Sequence, residues 1–229
     1  MRAFVLALAL AWSSQAHADF LQDLHTKFPE TKDAVVKKSF GNFYSVVRGN
    51  EVIYINDDLS ILINGDVVDL KANRSLTTSL REANRPRFKP GDLREGDAIR
   101  LSSGRRRIYV FSDPDCPFCR QLQSELVKLN DVAVYVLPFP LAGLHPNATA
   151  IAESIWCAPD PAAAWNGYLL RGTKPAAKSC ANPLERNAAL ASKYQVFGTP
   201  AIVFEDGSVI PGAVPVATIE ARLAALAKK

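Results

Sequence analysis

Two cysteines separated by two residues carry the clearest chemical signal in this sequence. The Cys-Pro-Phe-Cys segment at residues 116–119 follows an apolar run at residues 108–111 and a short polar turn. The run is typical of a buried strand. The residues after it predict a helix over 117–129 with one apolar face, formed by Phe118, Leu122, Leu126 and Leu129. The pattern therefore places the cysteine pair at the start of a helix.

A cysteine at a helix N-terminus is chemically activated. The free N–H groups and the positive end of the helix dipole stabilise an anion, so the thiolate of Cys116 is favoured. Pro117 suits the first helical turn, where its missing N–H is not needed. Cys119 lies one turn further on the same face, within reach of a disulfide. We therefore predict that Cys116 is the attacking thiol and that Cys119 resolves a mixed disulfide.

A zinc site and a structural disulfide are the two other uses of such a pair. A zinc site needs a second pair of ligands, and the candidates are scattered: His25, His145, and Cys157 and Cys180, which are too far apart to form a second knuckle. A disulfide at a helix N-terminus is easily reduced, which is the wrong property for a structural bridge. We predict no metal site and no cofactor.

The composition indicates an ordinary globular protein. Of 229 residues, 48% are hydrophobic and 22% are charged, which excludes disordered, fibrous and polytopic membrane classes. The formal net charge of +4 is too small and too scattered to indicate nucleic-acid binding. A chain of this length buries a core without covalent help, so the four cysteines need another reason.

The first eighteen residues have the pattern of a secretory signal peptide. Arg2 precedes an apolar run at residues 3–12, and an Ala-His-Ala site ends at Ala18. The run is only about half of the roughly 20 residues needed to span a bilayer, so we predict cleavage after Ala18 and no membrane insertion. All four cysteines then reach an oxidising compartment.

Residues 19–72 predict a small α+β unit. A helix is expected over 19–28, because its apolar residues share one face. Two hairpins follow, with strands at 43–47 and 52–55, and at 60–63 and 66–70 around Asn64-Gly65. A unit of about 55 residues is marginal as a monomer, which favours pairing with a second copy through a sheet edge.

Residues 73–97 predict a short helix and then a solvated linker. Ser75 can cap the helix, and Pro86 and Pro90 prevent its continuation. Residues 98–229 predict an α/β domain. Its expected elements are a strand at 108–111, a helix at 117–129, a strand at 132–137, helices at 147–157, 161–170 and 184–195, a hairpin at 201–204 and 208–210, and a helix at 215–228.

Three segments of the chain resemble the bacterial periplasmic disulfide isomerases of the DsbC/DsbG type. They are Phe-Ser-Asp-Pro-Asp-Cys-Pro-Phe-Cys at residues 111–119, Ile-Trp-Cys-Ala at 155–158 with the later Cys180, and Val-Phe-Gly-Thr-Pro-Ala at 196–201. The order of signal peptide, small N-terminal domain, linker helix and catalytic domain is also similar.

The resemblance implies a thioredoxin-like catalytic domain with a helical insertion, preceded by a cystatin-like dimerisation domain and a linker helix. It implies that Thr199 and a cis Pro200 face the cysteine pair and bind an extended substrate segment; a trans proline at the start of a strand is the alternative. It also implies a structural disulfide between Cys157 and Cys180 rather than two free thiols. At one position the chain departs from thioredoxin itself: Val110 replaces a buried acid, with no clear substitute.

We therefore predict a homodimeric periplasmic thiol:disulfide isomerase that acts on misfolded, disulfide-containing secreted proteins. A membrane reductase is expected to keep the dithiol of Cys116 and Cys119 reduced. Two alternatives stay open. One is a net oxidase that donates its disulfide to substrates, which the reduction potential distinguishes from an isomerase. The other is a holdase chaperone in which the thiols are secondary.

Overall fold

A computed structural model describes residues 19–227 and divides the chain between Pro86 and Arg87 into two units, each with its own main sheet. The predicted signal peptide, residues 1–18, lies outside the described residues. Across residues 19–227, no helix is both long enough and apolar enough to cross a membrane.

The N-terminal unit packs one helix on an antiparallel sheet. Residues 19–27 are helical (α1). The strands are β1 Val35–Lys38, β2 Phe43–Arg48, β3 Glu51–Asn56 and β4 Leu62–Asn64, paired in that order. Phe20 and Leu24 of α1 are buried in one cluster with Val46 and Ile55 of the sheet. The predicted helix, its apolar face and the α+β character of this unit are confirmed.

One of the two hairpins predicted in this unit is confirmed and the other is wrong. β2 and β3 pair around a turn at Gly49, as expected. Asn64-Gly65 closes no hairpin, because Val68–Asp69 (β5) pairs with Arg74–Ser75 (β6) instead. The Asp69 carboxylate accepts the backbone N–H groups two and three residues later, at 3.0 Å each. This side-chain-stabilised turn, and not the Asn-Gly pair, reverses the chain.

The predicted short helix after residue 75 is confirmed and packs on the N-terminal sheet. Ser75 caps α2, Leu76–Asn84, by accepting the backbone N–H three residues later at 2.9 Å. The hydroxyl of Thr77, which is fully buried, lies 2.9 Å from the hydroxyl of Tyr54 on β3. The helix ends two residues before Pro86, as the missing N–H of proline requires.

Phe88, within the segment predicted as a solvated linker over residues 73–97, is buried rather than solvated. Phe88 is only 3% exposed and stacks on Tyr194 with ring centroids 4.0 Å apart. An aromatic ring of this size gains free energy when it leaves water, so the residues around Phe88 are part of the core of the C-terminal unit. The domain boundaries at residues 72 and 97 stay a prediction.

The C-terminal unit is a five-stranded sheet with helices on both faces. The strands are β7 Ile99–Arg100, β8 Arg106–Ser112, β9 Val132–Pro138, β10 Ala201–Phe204 and β11 Val209–Pro211. The helices are α3 Pro117–Leu126, α4 Ala148–Trp156, α5 Pro161–Arg171, α6 Leu184–Lys193 and α7 Val216–Leu226. The strand order is β11-β10-β8-β9-β7, in which β8 and β9 are parallel and the other neighbours are antiparallel. The predicted α/β elements are confirmed; β7 was not expected.

The two central strands are buried on both faces. Ile108 and Val110 of β8 lie in a cluster with residues of α3, α5 and α7, whereas Tyr109 and Phe111 lie in a second cluster with residues of α6. Two-sided burial explains why the sequence of β8 is continuously apolar rather than alternating. The C-terminal end of β8 leads directly into the turn that carries the cysteine pair.

Candidate active site

Cys116 is the N-cap residue of α3. Its φ and ψ are −72° and 124°, and Pro117 occupies the first helical position. The Cys116 carbonyl oxygen accepts the N–H groups of Cys119 and Arg120 at 3.1 and 3.2 Å. The cysteine that we expect to attack therefore lies where the free N–H groups and the helix dipole favour a thiolate.

The second cysteine of the pair lies in the core. Both are free thiols, and Cys119 is 1% exposed. Burial raises the pKa of the Cys119 thiol to about 12, although the Ser112 hydroxyl and the Asp113 N–H beside it lower it. The Asp113 nitrogen lies 3.4 Å from Cys119 Sγ. Cys116 is also buried, at 5% exposed, so the two thiols differ mainly in their place on the helix: Cys116 is the N-cap residue and Cys119 lies within the first turn.

The loop before β10 lies against the cysteine pair. The peptide bond between Thr199 and Pro200 is cis, as the resemblance implies. The Thr199 carbonyl oxygen lies 3.5 Å from Cys116 Sγ. Antiparallel pairing of β10 with β8 sets Ala201 opposite Phe111. Sheet register therefore brings residues 199 and 200 to the active-site turn from more than eighty residues away.

The sequence predicts Phe118 on the buried face of α3, and this prediction is wrong. Its side chain is 62% exposed, and the buried residues of the helix are Cys119, Leu122, Gln123 and Leu126. Phe197, two residues before Thr199, is 60% exposed. An exposed aromatic ring thus lies within two residues of Cys116 and another within two residues of Thr199, and such rings supply large apolar contact area to a bound chain.

Asp113 is a buried carboxylate that sequence reasoning missed. It is fully buried, and its oxygens accept the N–H of Asp115 at 2.8 Å and the N–H of Leu141 at 2.7 Å, and lie 2.9 Å from Nδ1 of His145. Its backbone carbonyl accepts the Cys116 N–H at 3.3 Å. The sequence signal that could have identified Asp113 is its position in the turn between a buried strand and the Cys-x-x-Cys segment.

Asp113 therefore organises the active-site turn. Its carboxylate joins the turn to the loop after β9, and its backbone contacts both cysteines. The position at which thioredoxin has its acid holds Val110, which is fully buried in the core. The buried acid of this chain thus lies three residues nearer to Cys116.

The other two cysteines are bonded to each other. Cys157, at the end of α4, and Cys180 form a disulfide with Cα atoms 5.8 Å apart, the pairing that the resemblance implies. The bridge encloses α5. Within residues 19–227, no three His, Cys, Asp or Glu side chains come together as a metal site.

Two family models match most of the chain. Residues 98–227 match the thioredoxin-like domain, and residues 12–78 match the disulfide bond isomerase protein N-terminal domain. Together the two matches follow the same order as the two units of the structure.

Several similar proteins are named as thiol:disulfide or disulfide interchange proteins. The chain is 32% identical over 202 residues to the probable thiol:disulfide interchange protein DsbC of Bordetella avium (strain 197N), covering 86% of this chain and 71% of that protein. It is 27% identical over 216 residues to the thiol:disulfide interchange protein DsbC of Escherichia coli (strain K12), covering 93% and 89%. The crystal structure of a disulfide interchange protein from Neisseria gonorrhoeae matches with a TM-score of 0.55 and 37% identity, covering 58% of this chain and 97% of that chain.

Proposed function

Because this chain belongs to the DsbC-type thiol:disulfide interchange proteins, which pair a disulfide isomerase N-terminal domain with a thioredoxin-like domain, we propose that it is a disulfide isomerase with Cys116 as its nucleophile. The observation that carries the proposal is the difference between the two thiols. Both are buried, but Cys116 is the N-cap residue of α3 with its Sγ 3.5 Å from the Thr199 carbonyl oxygen, whereas Cys119 lies one helical turn further into the core.

The first chemical step forms a mixed disulfide. The Cys116 thiolate attacks one sulfur of a substrate disulfide; a new S–S bond forms to Cys116, the substrate S–S bond breaks, and the departing sulfur leaves as a thiolate that takes up a proton. In isomerisation, a substrate thiolate then attacks the substrate sulfur that is bonded to Cys116. A substrate disulfide forms, the bond to Cys116 breaks, Cys116 leaves as a thiolate, and no net oxidation occurs.

The environment of Cys119 favours isomerisation over rapid release. To resolve the intermediate, Cys119 must lose its proton and attack Cys116 Sγ, which leaves an oxidised enzyme and a reduced substrate. Burial raises the pKa of Cys119 to about 12, so its thiolate is scarce at neutral pH. A slow attack by Cys119 would leave the substrate thiols time to rearrange. When Cys119 does act, a membrane reductase restores the dithiol.

We propose that the protein works as a periplasmic homodimer on misfolded, disulfide-containing secreted proteins. The match to the isomerase N-terminal domain supports dimerisation. So do the exposed apolar side chains at and before β4, an edge strand of the N-terminal sheet: Ile61 and Leu62 are 52% and 47% exposed. Edge strands that carry exposed apolar residues pair readily. The test is sedimentation of the full chain, in which Leu62→Lys should convert dimer to monomer.

Refolding of a scrambled multi-disulfide protein in a glutathione buffer tests the isomerase itself. The Cys116→Ser variant should lose activity, whereas Cys119→Ser should keep part of it, because substrate thiols can resolve the intermediate without Cys119. A Cys116→Ser protein as active as the unsubstituted protein overturns the proposal. Thiol trapping in cells then distinguishes the two directions: a mainly reduced Cys116–Cys119 pair supports an isomerase, and a mainly oxidised pair supports the net oxidase.

A further inference from the structure

Three charged or polar side chains beside Cys116 have no part in the proposed chemistry. Tyr168 of α5 is 6% exposed, and its hydroxyl donates to Asp115 Oδ1 at 2.5 Å. The guanidinium of Arg120 lies 5.1 Å from the centre of the Tyr168 ring. Asp115 directly precedes Cys116, and the N–H of Arg120 donates to the Cys116 carbonyl oxygen. Tyr168 therefore contacts two side chains, Asp115 and Arg120, whose backbones adjoin that of the nucleophile.

Tyr168 is held firmly relative to the catalytic helix. Gln123 of α3 is 2% exposed and uses both ends of its amide to bind α5: Oε1 accepts the Trp165 indole N–H at 3.1 Å, and Nε2 donates to Asn166 at 2.9 Å. Trp165 is fully buried. Since buried hydrogen bonds of this kind are fully satisfied, they fix one arrangement of the two helices. The position of the Tyr168 hydroxyl is thus set by the fold.

A carboxylate next to a thiolate opposes its formation, because like charges raise each other's energy. Asp115 places such a carboxylate one residue before Cys116. A hydrogen bond from Tyr168 and the nearby Arg120 cation both offset that negative charge. Burial raises the pKa of Tyr168 to about 12, and the hydrogen bond and charge of Asp115 raise it as well. The hydroxyl therefore stays protonated, and available as a donor, at any pH at which the enzyme works.

We propose that Tyr168 is a positioning residue for thiol–disulfide exchange: its hydroxyl holds the Asp115 carboxylate, with Arg120 as counter-charge, so that the carboxylate does not suppress the Cys116 thiolate. The proposal rests on the proposed function, in which Cys116 is the attacking thiol. Under this proposal α5, which lies between the disulfide-bonded Cys157 and Cys180, affects the reactivity of the active site directly.

The same unit contains a matched control. Tyr194 is 3% exposed, its hydroxyl donates to Asp92 Oδ2 at 2.5 Å, and the Lys193 ammonium lies 5.2 Å from the centre of its ring. Tyr194 belongs to the core cluster on the other face of the sheet from Tyr168. Removing its hydroxyl deletes the same kind of tyrosine–aspartate hydrogen bond away from the cysteine pair, together with the acceptor of the Lys89 N–H at 3.1 Å.

The experiment measures alkylation of Cys116 in the reduced full chain between pH 4 and 8, by mass spectrometry of the peptide that contains it. Tyr168→Phe should move the rise of the rate to higher pH and reduce the rate about threefold or more at pH values below the plateau, because the carboxylate is no longer held by the hydroxyl. Tyr194→Phe should alkylate like the unsubstituted protein. In an Asp115→Asn background, Tyr168→Phe should have no effect, since no carboxylate is left to hold.

Two results overturn the inference. One is a Tyr168→Phe protein that alkylates at the unsubstituted rate. The other is an effect of Tyr168→Phe that persists in the Asp115→Asn background, since the hydroxyl would then act through packing and not through the carboxylate. If Cys116 in the unsubstituted protein reacts no faster than Cys119, the proposed function fails instead, and the inference fails with it.

Discussion

The carbonyl oxygen of Thr199 lies 3.5 Å from Sγ of Cys116, although 83 residues separate them in the chain. Pairing of β10 with β8 produces this contact, because the residue after Pro200, Ala201, is opposite Phe111 at the C-terminal end of β8. A substrate strand that binds backbone groups of residue 199 would thus present its sulfur directly to Cys116. Under the proposed function, the sheet would position the substrate and the helix N-terminus would favour the Cys116 thiolate.

The two active-site thiols should differ greatly in reactivity. With the pKa of Cys119 raised to about 12 by burial, only about one Cys119 in ten thousand is a thiolate at pH 8. Iodoacetamide followed by peptide mass spectrometry should therefore label Cys116 rapidly and Cys119 slowly, with the Cys119 rate still rising tenfold per pH unit above pH 9. Labelling of Cys119 that levels off near pH 9 contradicts the assigned environment.

Asp113→Asn should destabilise the reduced protein. The two carboxylate oxygens face the N–H groups of Asp115 and Leu141, so the new amide NH2 meets a donor whichever way it is turned. Loss of a buried acceptor costs about 1–3 kcal/mol of unfolding free energy. His145→Ala should cost less, because the Leu141 N–H still satisfies the oxygen near His145. Urea unfolding measures both; a larger loss for His145→Ala is inconsistent with the structure.

Phe118→Ala should leave stability nearly unchanged and weaken substrate binding. The side chain is 62% exposed, so its removal should change the unfolding free energy by no more than about 0.5 kcal/mol. Leu122→Ala, on the buried face of the same helix, should cost about 2–5 kcal/mol. In the refolding assay, Phe118→Ala should raise KM with little change in kcat. A stability loss equal to that of Leu122→Ala would show that the Phe118 side chain is buried, which contradicts the structure.

Asp206 should contribute to stability at neutral pH but not in acid. Desolvation raises its pKa, but hydrogen bonds from Ser208, the Arg222 charge and the Arg87 hydrogen bond outweigh this and hold it at about 2, below the usual 3.8. A lowered folded-state pKa stabilises the protein above pH 3.8, and this contribution is lost as pH falls through about 2.

The Asp206→Asn variant measures this contribution. At pH 7 it should be less stable by about 1–2 kcal/mol, a value reduced from the full linkage energy because the carboxylate is partly exposed. The difference from the unsubstituted protein should shrink as the pH falls below about 4 and approach zero only below pH 2. Glu205→Gln, at the exposed neighbouring residue, is the control and should change little. A deficit for Asp206→Asn that is constant from pH 7 to pH 2 contradicts the assigned ion pairs.

Sequence patterns predict local elements of this fold well, because β8 and α3 are specified by apolar runs and by Pro117 at a helix start. They fail where a competing local interaction, or a contact with a distant residue, determines the structure. The Asp69 side-chain turn displaces the hairpin expected at Asn64-Gly65. The contact of Asp113 with His145 joins residues 32 apart, and no periodicity encodes it. Whether Phe118 and Phe88 are exposed or buried depends on which distant residues pack against them, and the local sequence pattern does not specify those residues.

Trapping of the mixed disulfide tests the central claim most directly. Reduced Cys119→Ser and Cys116→Ser proteins are mixed with a scrambled multi-disulfide substrate, quenched with acid, and analysed by non-reducing electrophoresis and peptide mass spectrometry. The proposed roles predict that Cys119→Ser accumulates a substrate adduct bonded through Cys116 and that Cys116→Ser forms none. An adduct bonded through Cys119, or equal adducts with both variants, would contradict the assignment of Cys116 as the nucleophile.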